Sequence, residues 1–371
     1  MILHFLPWLS DLWEPLGKLS SLAARSGLAA VTAFVVALLM GPRVLAVLRR
    51  RSCIEDTVHT DSKTLNEINS AKPPTPTMGG VMIVGAVLVA GILFGDLTNS
   101  YVMLAILSTL GYGFIGFIDD WIKLTHPGRK GLQAASKYTL QALVAASLAF
   151  VITLIFERQE MPELLALHVP FTGGWSLDLS GLGGLPHMLF VMIVVTGTSN
   201  AVNLTDGMDG LAPGCMIVAA LTMAAVCVAV GRANTLELDL LYVPRSQEMT
   251  VFCTAMAGAT LGFLWFNAPP AMVYMGDTGS LPLGSLLGYV AVVLKHELAL
   301  FLIGGVFVLE AVSVILQVGT YKLTKGKRVF RCAPFHHHLQ FGGMPETRIV
   351  VRFWIAAVVC AAAGLSTLAV V

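Results

Sequence analysis

The sequence predicts an all-α polytopic membrane protein with about ten transmembrane helices, and three observations carry that prediction. Only 12% of the 371 residues are charged, about half the share of a soluble domain and too few to cover a water-facing surface. The mean hydropathy is +0.78. The apolar residues are gathered into runs close to the ~20 residues that a spanning helix needs.

Taken in order, residues 1–16 read as a short interfacial segment, with Trp8 and Trp13 suited to the headgroup level. They lack the early basic region and small-residue cleavage site of a signal peptide. Spans follow at 26–48, 78–95, 101–118, 138–156, 186–203, 210–230, 249–266, 280–294, 298–320 and 350–370. The eighth is short, and the ninth carries Glu310 and Gln317, so these two fit the pattern least well. Between the fourth and fifth, "PFTGGWSLDLSG" has the turn chemistry of a small hairpin. No repeat, low-complexity tract or soluble module appears, so residues 1–371 read as a single integral membrane domain.

Ten spans put both ends on one side. Of the 23 lysines and arginines, 17 lie in or beside the loops after the odd-numbered spans, and 6 lie on the other side. The positive-inside rule then makes the odd loops cytoplasmic and both termini outside. A net charge of +1 gives no reason to expect a nucleic-acid partner. The six cysteines form no C-x-x-C pair, which points to apolar packing residues rather than a disulfide framework or a zinc site.

The unusual polar clusters share the cytoplasmic side. They are "SAKPPTPTMGG", "GFIDDWIK", "SNAVNLTDGMDGLA", "FNAPPA" with "MGDTGS", and "APFHHHLQFGG". Polar residues collect in loops anyway, but that does not explain the one-sidedness, so an active site at the cytoplasmic face is expected. Even-numbered helices begin there, and their N-terminal N–H groups are natural phosphate partners.

Asp119 and Asp120 end the third span, where adjacent acids are costly without a cation or a hydrogen-bond network. "DDWIK" lacks the D-D-x-x-D spacing of prenyl-chain synthases. Asn203, Asp206 and Asp209 are three apart and would share one helical face, next to glycines that let a ligand approach; a capped turn is the bland alternative. Asp277, with Thr278 and Ser280, offers oxygen ligands of the kind Mg2+ takes alongside substrate phosphates. Asn267 lies ten residues upstream. His336, His337 and His338 cannot all face one site on a helix, and His336 is the first choice to point inward. Zinc lacks a partner cluster with ligand spacing, so phosphate contact or proton transfer suits the histidines better. Lys72 adjoins the stiff "PPTPT" run; Lys130 and Lys137 are further cytoplasmic cations.

Acids, oxygen ligands, a histidine and lysines at a membrane surface make a phosphoryl-transfer site joining a lipid to a soluble anion. "KPPTPTMGG", "GFIDDWIK", "NLTDGMDGLA", "NAPPA" with "MGDTGS", and "PFHHHLQ" resemble, in order, the signatures of the phospho-N-acetylmuramoyl-pentapeptide transferases. This family belongs to the polyprenyl-phosphate N-acetylhexosamine-1-phosphate transferase superfamily. The resemblance implies that undecaprenyl phosphate attacks the β-phosphate of UDP-MurNAc-pentapeptide, releasing UMP and forming lipid I, with Mg2+ required. It implies a bacterial inner-membrane enzyme of peptidoglycan synthesis and a homodimer. It matches Asp119 and Asp120 to the family's aspartate pair, Asp277 to its magnesium-binding aspartate and His336 to the first residue of its histidine triplet. It matches Lys72, Asn203, Asp206, Asp209, Asn267 and Ser280 to other polar site positions, and Lys137 by its distance from "KGL".

A phosphate monoester is mostly dianionic at neutral pH, so screening the repulsion between two anions matters more than a general base. Direct attack with Asp119 orienting or deprotonating the lipid phosphate is the expected route; a phosphorylated Asp119 is its rival. Two other functions compete with this one. A GlcNAc-1-phosphate transferase keeps the chemistry and changes the sugar, but "PFHHHLQ" with "TPTMGG" favours the muramoyl branch. A nucleotide-sugar transporter would show internal repeats and paired broken helices with midplane charges; no such repeat appears, and the acids cluster at one face.

Overall fold

The computed structural model describes residues 20–51, 53, 73–126, 131–172, 174–233 and 240–369. The interfacial segment 1–16, Lys72 and Lys130 lie outside the described residues. The elements are α1 (Leu22–Arg50), α2 (Gly80–Phe94), α3 (Ser100–Thr125), α4 (Ala134–Arg158), β1 (Ala166–His168), β2 (Ser176–Asp178), α5 (Gly181–Thr205), α6 (Leu211–Gly231), α7 (Met249–Asn267), α8 (Asp277–Val293), α9 (Glu297–Ile303), α10 (Gly305–Leu323), α11 (Phe335–Gln340) and α12 (Glu346–Ser366). Among the described residues, eight helices are long and apolar enough to cross a membrane: α1, α3, α4, α5, α6, α7 with the turn before it, α10 and α12. The chain is therefore a multi-pass α-helical membrane protein.

The expected hairpin is present, with β1 and β2 antiparallel and Leu167 opposite Leu177. Two expectations change. The helix carrying Asp119 and Asp120 does not end there; α3 runs on to Thr125, so both acids lie inside a helix. The ninth span divides at Gly304, where the Gly304 N–H closes α9 on the Leu300 carbonyl at 2.7 Å. The adjacent Gly304 and Gly305 are weak helix formers, which suits a break at that point.

Small residues let these helices pack closely. Ala29, Ala33, Ala37 and Gly41 form a buried stripe four residues apart on α1. It meets α7 where Gly258 lies against the Ala30 backbone and Gly262 against Phe34 and Ala37. This is the small-xxx-small packing that membranes favour, because lipid supplies little hydrophobic drive between helices. Every residue of α8 is buried. Gly284 and Gly288 of α8 lie against the α5 backbone around Val194–Ser199, and Gly279 touches Gly80 at the start of α2. Thus α8 is the central post, and its N-terminus sits where α2 begins and α3 ends.

At the other end of the bundle, buried Arg25 donates to both oxygens of Glu248, at 2.8 and 2.6 Å, and to the Phe94 carbonyl at 3.0 Å. This ties the start of α1, the end of α2 and the entry to α7 together. Arg245 and Asp96 form a more exposed pair beside it, 3.0 Å apart.

Candidate active site

The site is assembled around the first turn of α8. The α3 and α8 backbones touch at Gly116, where any side chain would collide with the Asp277 carbonyl. One turn further along α3, Asp120 is therefore within reach of the free N–H groups of α8. Its carboxylate accepts from Asp277 N at 3.2 Å, Thr278 N at 2.9 Å and Thr278 Oγ1 at 2.7 Å. Asp120 is thus an N-cap supplied by a different helix. The helix N-terminus expected to meet a phosphate meets this carboxylate instead, because burial leaves those N–H groups no water to bond. Gly276, at φ 70°, makes the turn into α8, and a Cβ there would fall 2.5 Å from Asp120 Oδ2.

Asp277 joins four helices. Asn203 of α5 donates from one amide nitrogen to Asp277 Oδ1 at 2.7 Å and to Ser280 Oγ at 2.8 Å. Lys137 of α4 donates to Asp277 Oδ2. Asp119 accepts from Leu132 N at 2.9 Å and pairs with Lys123 at 2.8 Å. Lys123 also lies 3.4 Å from Asp120 and 3.6 Å from Asp277. One oxygen each of Asp119, Asp120 and Asp277 lies within 4.8 Å of the others. Three buried carboxylates therefore face two lysine ammonium groups, an arrangement with one negative charge in excess. The acids are nearly inaccessible, whereas the lysine side chains are about one-fifth exposed, at 21% and 19%. The approach from outside is lined by positive charge.

The other expected residues divide by location. Asn203 and Asp206 do not share a helical face with Asp209, because α5 ends at Thr205 and Asp206 is its C-cap. Asp209 accepts from Ala271 N at 2.9 Å, and its own N–H donates to Glu346 at 3.1 Å. Asn267 accepts from Gly210 N and donates to the Val273 carbonyl, both at 2.9 Å. These two brace the 206–210 turn against the 268–276 loop. The "TPTMGG" stretch is braced similarly: Tyr274 N donates to the Pro76 carbonyl, and Gly79 N to the Tyr274 carbonyl, each at 2.8 Å.

Of the three histidines, His336 is buried, as expected, and the other two are partly exposed. His338 stacks on Phe335 and accepts from Arg331 N at 3.1 Å. His337 pairs with Gln340 at 3.0 Å. His336 packs against Gly207 and pairs with Glu310.

Sequence reasoning missed two members. Lys123 reads in the sequence as one more cytoplasmic charge, although it follows Asp119 by four and Asp120 by three, the spacings that face each other on a helix; that signal appears only once α3 runs past the acids. Glu310 makes the ninth span fit the apolar pattern less well, yet an intramembrane acid is itself a functional signal.

The fold and this cluster define a class: a membrane-embedded enzyme whose buried acids and flanking cations suit transfer chemistry on an anionic group. Residues 102–295 match the model of Glycosyl transferase family 4. Over 99% of its length and 99% of theirs, the chain is 43% identical to the phospho-N-acetylmuramoyl-pentapeptide-transferase of Thermodesulfovibrio yellowstonii and 42% identical to that of Desulfatibacillum aliphaticivorans. It is also 42% identical, over 99% of both chains, to the protein of that name from Oleidesulfovibrio alaskensis. The chain belongs to the phospho-N-acetylmuramoyl-pentapeptide-transferase family.

Proposed function

We propose that this chain transfers phospho-MurNAc-pentapeptide from UDP-MurNAc-pentapeptide to undecaprenyl phosphate, giving lipid I and UMP. The observation that carries the reading is the cluster of Asp119, Asp120 and Asp277 between Lys123 and Lys137, in a chain aligned from end to end with relatives of that name. An oxygen of the lipid phosphate attacks the β-phosphorus, the bond from that phosphorus to the bridging oxygen breaks, and UMP leaves with the electron pair.

The donor set suits a hard divalent cation, being all carboxylate oxygen. Asp277 and Asp119 would hold Mg2+, with Asp120 behind them, and the ion when bound would neutralise diphosphate charge. The chain's own part is positional. Lys123 and Lys137 bring positive charge to the open side and reduce the repulsion between two anionic substrates. Asn203 and Ser280 fix the direction of Asp277. Asp119 has one oxygen on Leu132 N and the other on Lys123. A carboxylate held at both ends suits orienting the acceptor better than becoming phosphorylated itself, which supports direct attack. His336, His337, His338, Asp206 and Lys72 complete the substrate-side assignment carried by the motifs, and Asp209 and Asn267 serve it by bracing the 206–210 turn.

The topology reading goes with this function. The eight long helices, together with α2 and α8, make ten crossings; the arginine and lysine asymmetry puts both termini outside and the site at the cytoplasmic face of a bacterial inner membrane. The chain acts as one transferase domain over residues 1–371 and assembles as a homodimer.

The test is UMP release by purified protein in detergent with undecaprenyl phosphate and Mg2+, comparing UDP-MurNAc-pentapeptide with UDP-GlcNAc. Release is expected with the first only, and its loss is expected on chelation and in Asp277→Ala. Release with UDP-GlcNAc would move the chain to the GlcNAc-1-phosphate branch. Trapping a phosphosugar–enzyme adduct without acceptor would count against direct attack.

A further inference from the structure

Glu310 is fully buried in α10, a helix apolar enough to span a membrane. An acid there is costly unless it is paired. Its carboxylate accepts from the backbone N–H of His336 at 3.2 Å and lies 3.1 Å from the Nδ1 of the same residue. Gln317 is seven residues along α10, two turns away on nearly the same face. It accepts from Val329 N at 3.0 Å and Phe330 N at 2.9 Å, and donates to the Phe330 carbonyl at 3.0 Å. One face of α10 therefore holds the histidine segment at two points, and Glu310 is the one that reaches an imidazole.

The other ring nitrogen, Nε2 of His336, is buried and has no hydrogen-bond partner among the described residues. It faces Gly207, where a Cβ would collide with Nε2 and Cε1. Gly207 lies in the turn that carries Asp206 and Asp209. Buried polar atoms are nearly always paired, so an imidazole nitrogen left open at this turn points to a ligand atom that completes it.

We propose that Glu310 is a positioning residue that keeps a proton on His336 Nδ1 and thereby presents Nε2 at the 206–210 turn. A carboxylate only accepts hydrogen bonds, so an unprotonated Nδ1 would place two lone pairs against each other. With Nδ1 protonated, neutral Nε2 accepts a hydrogen bond or a proton, and a charged ring donates from Nε2 to an anionic oxygen. What Nε2 meets rests on the transferase reading; which nitrogen carries the proton does not.

The direct test is nitrogen NMR of the purified full-length protein carrying ring-15N histidine, with His336→Asn used to assign the signal. The wild type is expected to show a protonated Nδ1. In Glu310→Gln an NH2 group replaces one oxygen; in place of Oε1 it would meet the His336 backbone N–H donor to donor at 3.2 Å, so it takes the place of Oε2 and donates to Nδ1, and the ring proton is expected to move to Nε2. The kcat for UMP release should then fall by about 10^2–10^4-fold, the scale seen when a histidine loses its orienting carboxylate, with the KM for the nucleotide sugar changed by less than about threefold. Glu310→Asp, which retains the carboxylate, should keep Nδ1 protonated and recover part of the rate. If the glutamine variant does not fold, the wild-type spectrum and the aspartate variant still decide. An unprotonated Nδ1 in the wild type overturns the proposal, as does wild-type kcat in Glu310→Gln. Wild-type protein that turns over neither UDP-sugar would instead defeat the transferase reading and leave the tautomer result standing.

Discussion

Replacing Asp120 with asparagine separates a structural role from a chemical one. Asp120 takes three hydrogen bonds from the first turn of α8. Asparagine keeps one acceptor oxygen and turns an NH2 group toward the remaining donors. Hydrogen bonds to a charged group contribute about 1.5–3 kcal/mol each, and a buried donor left unpaired costs about 1–3 kcal/mol. The charge terms favour the substitution, because asparagine removes the burial cost of an ionised carboxylate while the two nearest charge pairs nearly offset each other. Asp120 loses repulsion from Asp277 and attraction to Lys123 at 3.4 Å, each about 4 kcal/mol near 4 Å at an effective dielectric of 20. Three weakened hydrogen bonds and a buried donor facing an NH2 group outweigh that relief, and a net loss of about 3 kcal/mol follows, at the low end for breaking a buried charged interaction. That corresponds to a fall of roughly 4 °C in apparent melting temperature for a chain of 371 residues. The assay is loss of monodisperse protein on heating in detergent, with Thr278→Val beside it. Thr278→Val removes only the hydroxyl bond and should cost about 1 kcal/mol, and the double variant should lose less than the sum because the partners are shared. Wild-type melting in Asp120→Asn would refute the cap argument and return Asp120 to a purely chemical role.

Two further outcomes follow from the same geometry. Gly207→Ala places a methyl group against the His336 ring; overpacking of this kind costs about 1–3 kcal/mol. UMP release should fall at least about tenfold as the ring is displaced, since 1.4 kcal/mol corresponds to a factor of ten, and an unchanged rate would show that His336 is not held where this account needs it. At the opposite end of the bundle, burial raises the Asp96 carboxyl pKa, but hydrogen bonds from Thr98 and Arg245 outweigh it and hold the carboxyl below its ordinary range. The folded value is depressed, so this stabilisation is complete above the unfolded carboxyl's pKa of about 3.9 and is lost as pH falls through the lower folded value. Melting followed from pH 6 to pH 3 should show an acid loss that is smaller in Asp96→Asn, and identical acid limbs would remove the pair from the account.

Much of this was legible in the chain, for identifiable reasons. Long apolar runs announced the helices, because a membrane permits few other ways to satisfy the backbone. Glycines beside acids announced the site: at Gly116 the α8 backbone, at Gly276 the Asp120 carboxylate and at Gly207 the His336 imidazole comes too close for a side chain. What stayed hidden depends on which group reaches a donor first. Asn267 and Asp209 look like substrate ligands in sequence, yet each is bonded to loop backbone. Asp120 looks like the twin of Asp119, yet a one-residue step on a helix turns a side chain by about 100°. One acid therefore faces the N-terminus of α8, and the other faces Lys123 and the loop at Leu132. Periodicity fixes directions along one helix but says nothing of what the neighbouring helix presents there.

That difference in direction has a consequence for the chemistry. A cluster of three acids would spread or protonate if each were held only by its neighbours. Here each is anchored by a different element: Asp120 by the backbone of α8, Asp119 by Leu132 N, and Asp277 by Asn203. The anchors are backbone or amide groups, buried at Asp120 and part-buried at Asp119 and Asp277, so they need not rearrange when a cation or a diphosphate arrives. The lysines are the half-open part, and a long flexible side chain can follow charge as it moves from acceptor to leaving group. A rigid set of acceptors behind a mobile set of cations places the cost of organisation in folding rather than in each turnover. It also gives the buried pair of Glu310 and His336 the same form: a fixed carboxylate directing one group whose far side is left to meet the substrate.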